Sequence, residues 1–306
     1  MIAVASEVSA SAARHEPIAR RTSAYLLAAP GAAALLALFI APVLAVFAIA
    51  LTDWELGAEQ FSFIGLANFR TLLLDPQFLA SAANTLLYTL VVVPVSVCLG
   101  LAVALLIDSG KSMRSFYRAA HFIPVMATMA AMAIAWEALL HPTIGAITQF
   151  LAWCDVPSVN WLRNPHTVMF ALAAIGVWQS FGYAMVLFLA GLKVIPQDLY
   201  EAAAIDGADS TFARLRTVTL PMLGPTTMFV SIVVMLRALE VFDSVSILTQ
   251  GGPGTSSQVL LYTLYEESFL YLRTGYGAAI TVVFLLVVTT LTLVQARTMD
   301  RRVHYT

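Results

Sequence analysis

The chain has 306 residues, of which 60% are hydrophobic and 11% charged. An ordinary soluble domain is roughly a quarter charged, so water is not the main solvent here. A membrane span takes about 20 mostly apolar residues, so several spans with modest loops fit this length and a large soluble domain beside them does not. The formal net charge of −2 gives no reason to expect a nucleic-acid partner; the positions of the basic residues carry the information instead.

Residues 1–23 read as an N-terminal tail, rich in Ala and Ser up to Pro17 and without apolar periodicity. Six apolar stretches follow, at 24–52, 83–107, 119–140, 167–192, 222–248 and 277–296, and together they define one transmembrane domain over 24–296 before a short tail at 297–306. The first stretch is far longer than the roughly 7–15-residue apolar core of a cleaved signal peptide, so it is read as a span. Pro94 and Pro124 lie inside the second and third stretches and predict kinks there.

Basic residues set the orientation. Arg14, Arg20 and Arg21 precede span one, Lys111, Arg114 and Arg118 follow span two, Lys193, Arg214 and Arg216 follow span four, and Arg297, Arg301 and Arg302 follow span six. These 12 of the 16 basic residues share one side, against Arg70, Arg163 and Arg273 on the other. Positive charge favours the cytoplasmic side, so both termini are expected there, in a multi-pass membrane protein surrounded by lipid. Trp54, Trp136, Trp153 and Trp161 fall near outward-facing ends, whereas Trp178 sits inside span four.

Cys98 and Cys154 lie at different depths and are expected as free thiols, and the five histidines are scattered without ligand spacing. No metal site, bound cofactor or catalytic constellation is expected. The loop at 193–220 reads as structured. Asp198 followed by Glu201 suggests a capping box, the run Glu201-Ala202-Ala203-Ala204 favours a helix over 199–206, and Gly207 supplies a left-handed stop before a second helix over 210–219.

That loop carries a resemblance. Glu201-Ala202-Ala203, then Gly207, then Val218-x-Leu220-Pro221 resembles the EAA signature of permease subunits of binding-protein-dependent ABC importers, although ten residues instead of nine separate the glycine from the aliphatic position. Residues 63–86, Phe242-Asp243, 249–254 and 265–269 are similar to carbohydrate-type members, and 291–305 to glycerol-phosphate permeases. The resemblance implies an all-α integral membrane fold, six transmembrane helices of the type I, MetI-like kind with a cytoplasmic coupling helix. It also implies inward movement of a sugar, oligosaccharide or glycerol-phosphate-type solute by alternating access. The implied partners are a second permease subunit, two copies of an ATPase subunit that bind ATP and Mg2+, and an external solute-binding protein. Glu201, Ala202, Ala203, Asp206, Gly207 and Ala208 would then meet the ATPase. The chain has no phosphate-binding Gly-x-x-x-x-Gly-Lys-Ser/Thr loop, so ATP hydrolysis is expected in the partner.

Arg237, Glu240 and Asp243, three residues apart along span five, are costly in lipid. They read either as an Arg237–Glu240 pair or as a substrate path or gate, with Gln179, Tyr183 and Asn84 as further candidates. Rival readings are an ion-coupled carrier, which calls for inverted repeats, and a membrane-embedded enzyme, which calls for facing catalytic groups.

Overall fold

The computed structural model describes residues 18–110, 112–155 and 157–300. The N-terminal tail up to residue 17 and the last six residues lie outside the described residues. The described chain is helical, with one isolated bridge, Thr52 to Phe63, and no strand.

Helix α1 (Ile18–Leu35) passes through a π-helical turn, Leu36–Ile40, into α2 (Ala41–Ile49). From Tyr25 to Ile49 this is one apolar rod, and only its far end, at Val46 and Ile49, packs into the core of the chain. The loop that follows is tied down: Asn68 Nδ2 donates to the carbonyls of Ala50 and Thr52 at 3.0 and 2.8 Å, and Gly275 N donates to Trp54 O at 2.7 Å. A Cβ at position 275 would overlap the Thr52 carbonyl, so this approach needs glycine.

After α3 (Ala67–Leu74), α4 (Pro76–Ser109) is a continuous 34-residue helix, about 50 Å long and longer than the hydrocarbon layer. Its start lies seven residues before the predicted 83 for a local reason. Asp75 caps it by accepting from Gln77 N at 2.9 Å, and Pro76 occupies the first turn, where its missing N–H costs nothing. The predicted kink at Pro94 does not interrupt the helix. The other oxygen of Asp75 accepts from Tyr276 Oη at 2.6 Å, which joins α4 to α15.

The third stretch departs from the expectation of one kinked span. It forms α5 (Arg114–Met126) and α6 (Met129–Leu139), bent by 101°. Pro124 removes a hydrogen bond near the end of α5, Ala127 becomes extended, and Thr128 restarts a helix by accepting from Ala131 N at 3.4 Å. Helix α7 (Ala146–Ala152) lies in the following connection.

Helix α8 (Val168–Val194) is the most buried of the long helices and packs along α4, α5 and α12. Glycines on α4 and α8 permit this. A Cβ at Gly100 would come 2.6 Å from Ala184 Cβ, and one at Gly182 would overlap the His121 carbonyl. Close backbone approach through small residues is how helices associate in lipid, where apolar burial alone gives no drive. Met185 and Phe188 are fully buried there.

Helix α9 (Gln197–Ile205) and α10 (Thr211–Arg214) follow; α10 continues through a π-helical turn, Leu215–Thr219, into α11 (Leu220–Met222). The fifth stretch is also broken, into α12 (Gly224–Leu239) and α13 (Asp243–Leu248). Helix α14 (Leu260–Tyr265), with a π-helical turn at Glu266–Leu270, leads to α15 (Thr274–Asp300). Among the described residues, four helices are long and apolar enough to cross a membrane singly. With the bent α5–α6 pair and the broken α12–α13 segment, they are consistent with the six predicted stretches. Cys98 and Cys154 are free.

Candidate functional site

The two breaks meet. A cleft of about 480 Å3 opens where the α5–α6 junction, α4, α8 and the α12–α13 junction converge. Thr128 and Met129 line it from the first junction, Gln179 and Ser180 from α8, and Arg237, Glu240, Phe242 and Asp243 from the second. Glu240 has left the helix, with φ −82° and ψ 16°, and Phe242 turns the chain with φ −143° and ψ −56° before α13 begins. No glycine or proline marks these positions, and in sequence Arg237, Glu240 and Asp243 are spaced three apart along one span.

That break removes the predicted pair. Among the described residues no ion pair joins Arg237 to Glu240; the Arg237 guanidinium instead sits over the Tyr183 ring, 4.2 Å from its centroid. Arg237, Glu240 and Asp243 are all exposed at the cleft. Of the softer candidates, Gln179 lines the cleft, Tyr183 holds Arg237 from behind, and Asn84 is elsewhere. Asn84 Nδ2 donates to the carbonyls of Thr255 and Gln258 at 2.8 and 2.9 Å, and Thr85 Oγ1 accepts from Leu260 N at 2.9 Å. Both brace the segment before α14.

Nothing in its own stretch of sequence singled out Tyr88. It is 5% exposed, on α4, and reaches the cleft beside Gly176.

At the far ends of α8 and α12 lies the loop with the EAA-like sequence. Helix α9 begins two residues earlier than predicted, and the expected capping box is absent: Pro196 holds the cap position with no side-chain bond, and Asp198 sits in the first turn. An acidic residue there still favours the helix through its dipole. The glycine stop is present. Gly207 has φ +90°, Ala208 N donates to Ala203 O at 2.8 Å and Gly207 N to Ala204 O at 3.2 Å, the paired bonds of a Schellman turn.

Ser210 starts α10 by accepting from Ala213 N at 3.0 Å, Arg214 Nε donates to Ala208 O at 3.0 Å, and Tyr200 Oη bonds Thr219 Oγ1 at 3.1 Å. The two helices are thus held as one unit. A π-helical turn is an α-helix with one residue inserted, so the turn at Leu215–Thr219 accommodates the tenth residue between Gly207 and Val218. Glu201, Ala202, Asp206 and Gly207 are exposed, as are Ile205 at 87% and Phe212 at 71%. Those two apolar side chains were not singled out from sequence.

A membrane-embedded helical bundle, a polar cleft between broken helices and a rigid loop below them define a multi-pass transport protein. The chain belongs to the binding-protein-dependent transport system inner membrane components, whose family model matches residues 76–305. It is 34% identical to the trehalose/maltose transport system permease protein MalF of Thermococcus litoralis, over 88% of this chain and 91% of that one. It is 32% identical to the sn-glycerol-3-phosphate transport system permease protein UgpA of Agrobacterium fabrum, over 80% and 83%. A bacterial alginate ABC transporter, solved in complex with an alginate pentasaccharide-bound periplasmic protein, has the same fold, with a TM-score of 0.78 over 93% of this chain and 96% of that one at 21% identity. The chain is therefore the permease subunit of an ABC importer, a transport subunit and not an enzyme.

Proposed function

We propose that this chain is one half of an importer for a sugar, oligosaccharide or glycerol-phosphate-type solute, that the cleft at Arg237, Glu240, Asp243 and Gln179 lies on the solute path, and that α9 with Gly207 and Ala208 is the contact through which ATP hydrolysis drives it. One observation carries this reading. The loop at 195–223 is continuous with α8 at one flank and α12 at the other, and both helices wall the cleft. From Gln179 to Val194 and from Gly224 to Arg237 each is roughly 20 Å of helix, stiff enough to pass a displacement from loop to cleft. A rigid, doubly stopped α9 transmits a push that a flexible loop would absorb. The cleft then alternates between access from either side as the bundle repacks.

A second permease subunit would complete the cleft, two ATPase subunits holding ATP and Mg2+ would dock below, and an external binding protein would deliver solute. The charge distribution supports an orientation with both termini and the 195–223 loop in the cytoplasm. Copurification from native membranes tests the assembly: the chain should bring down an ATPase subunit and a second permease. Its recovery alone, with no ATPase, would contradict the reading.

A further inference from the structure

Resting on the orientation proposed above, we infer that Arg114 and Arg118 at the start of α5 bind the phosphate of an anionic phospholipid headgroup in the cytoplasmic leaflet.

The two arginines stand four residues apart, so their side chains leave the same face of α5 one turn apart. Like charges at that spacing repel unless an anion lies between them. The protein supplies none. Its sequence has no Asp or Glu between Asp108 and Glu137, and of the two helices packed against α5, α8 contains no acidic residue and α4 only Asp108. Among the described residues neither arginine has an ion pair.

Arg114 is partly occupied. Its Nε donates to Gly110 O at 2.5 Å and its Nη2 to Asp108 O at 2.6 Å, which closes the end of α4 and fixes the guanidinium. Arg118 makes no hydrogen bond within the described residues; its Nε is buried without a partner, whereas its Nη groups are not buried. A fixed guanidinium edge with unused donors matches the paired oxygens of a phosphate.

The setting selects a lipid as the source of that phosphate. Met113, Phe116 and Tyr117 flank the pair and are 59%, 60% and 46% exposed. Apolar side chains and a tyrosine with a polar tip suit the boundary between acyl chains and headgroups and would be poorly placed around an aqueous anion site. The cytoplasmic leaflet carries the anionic headgroups that attract such a pair.

The test uses the complete importer, stripped of lipid in detergent and titrated with fluorescent phosphatidylglycerol and, separately, with fluorescent phosphatidylcholine. Wild type should bind phosphatidylglycerol about fivefold more tightly or better, roughly the worth of one arginine beside a charged headgroup, and the advantage should shrink as salt is raised. Per assembled complex, Arg118→Gln should lose most of this preference and Arg118→Lys, which keeps the charge, should retain most of it. Arg297→Gln removes an exposed cation elsewhere on the same side and should leave the preference unchanged. Equal affinity for the two lipids in wild type, full preference in Arg118→Gln or an equal loss in Arg297→Gln would overturn the inference. So would displacement of phosphatidylglycerol by inorganic phosphate beyond the effect of chloride at the same ionic strength, which would mark a site for free anions. Labelling of Ser115→Cys by an impermeant thiol reagent outside intact cells would overturn the leaflet and the proposed orientation together, whereas a missing lipid preference with Ser115→Cys shielded would overturn this site alone.

Discussion

Arg237 lies over the ring of Tyr183, 4.2 Å from guanidinium carbon to centroid, and not against Glu240. A cation over an aromatic face is worth about 0.5–1 kcal/mol at an exposed site, so Tyr183→Ala should lower uptake about two- to fivefold, while Tyr183→Phe, which keeps the ring face, should stay near wild type. Because no bond links Arg237 to Glu240, Arg237→Ala and Glu240→Ala should combine additively within about 0.5 kcal/mol. Strong coupling between them in uptake would show that they pair after all.

Glu267 supplies a pH signature away from the spans. It is 1% exposed and pairs with Arg273 at 2.5 Å. Burial pushes its carboxyl above the usual carboxylate range, Asp75 and Glu266 add to the rise, and Arg273 opposes it. A raised value means that the folded state holds the proton more tightly than the unfolded one. The associated stability is full below the unfolded value of about 4.3 and is lost as pH rises through the folded value. Glu267→Gln removes this dependence. Thermal unfolding in detergent should therefore show the variant gaining on wild type as pH rises from about 4 to 7, and a constant difference would contradict the assignment.

Orientation is testable with single cysteines in a background lacking Cys98 and Cys154. A cysteine at Ser210, exposed at the start of α10, should resist an impermeant thiol reagent applied to intact cells and react once the membrane is opened. Labelling from outside would reverse the proposed topology.

Composition and hydropathy were enough for the all-helical membrane class, because lipid forces every backbone group to bond within its own helix. The glycine stop after α9 was equally legible, since Gly207 is a local conformational requirement. The breaks were not. The α12–α13 junction contains no glycine or proline, and its turn at Glu240–Phe242 is held by tertiary packing of neighbours such as Ala238, Val241 and Val245 in the core. Hydropathy alone smooths over such a break, and with it the Arg237–Tyr183 contact. Asp75-Pro76 was a readable helix start, outvoted by the polar residues that follow it. The place of Tyr88 at the cleft could not be found in sequence, because the room for its hydroxyl is made by Gly176, which α8 brings to it from 88 positions away.

The central claim is that α9 couples ATP hydrolysis to the cleft, and Gly207→Val addresses it most directly. A β-branched residue is strained at φ +90°, so the Schellman turn should be lost and the face carrying Glu201, Ala202 and Ile205 should tilt, while every span stays intact. Glu201→Lys, exposed and outside any capping bond, isolates the docking contact from helix stability. ATP turnover and solute uptake measured on the same reconstituted complexes should show both variants inserted but without solute-stimulated turnover or uptake. Normal stimulation and normal uptake in both would contradict the account.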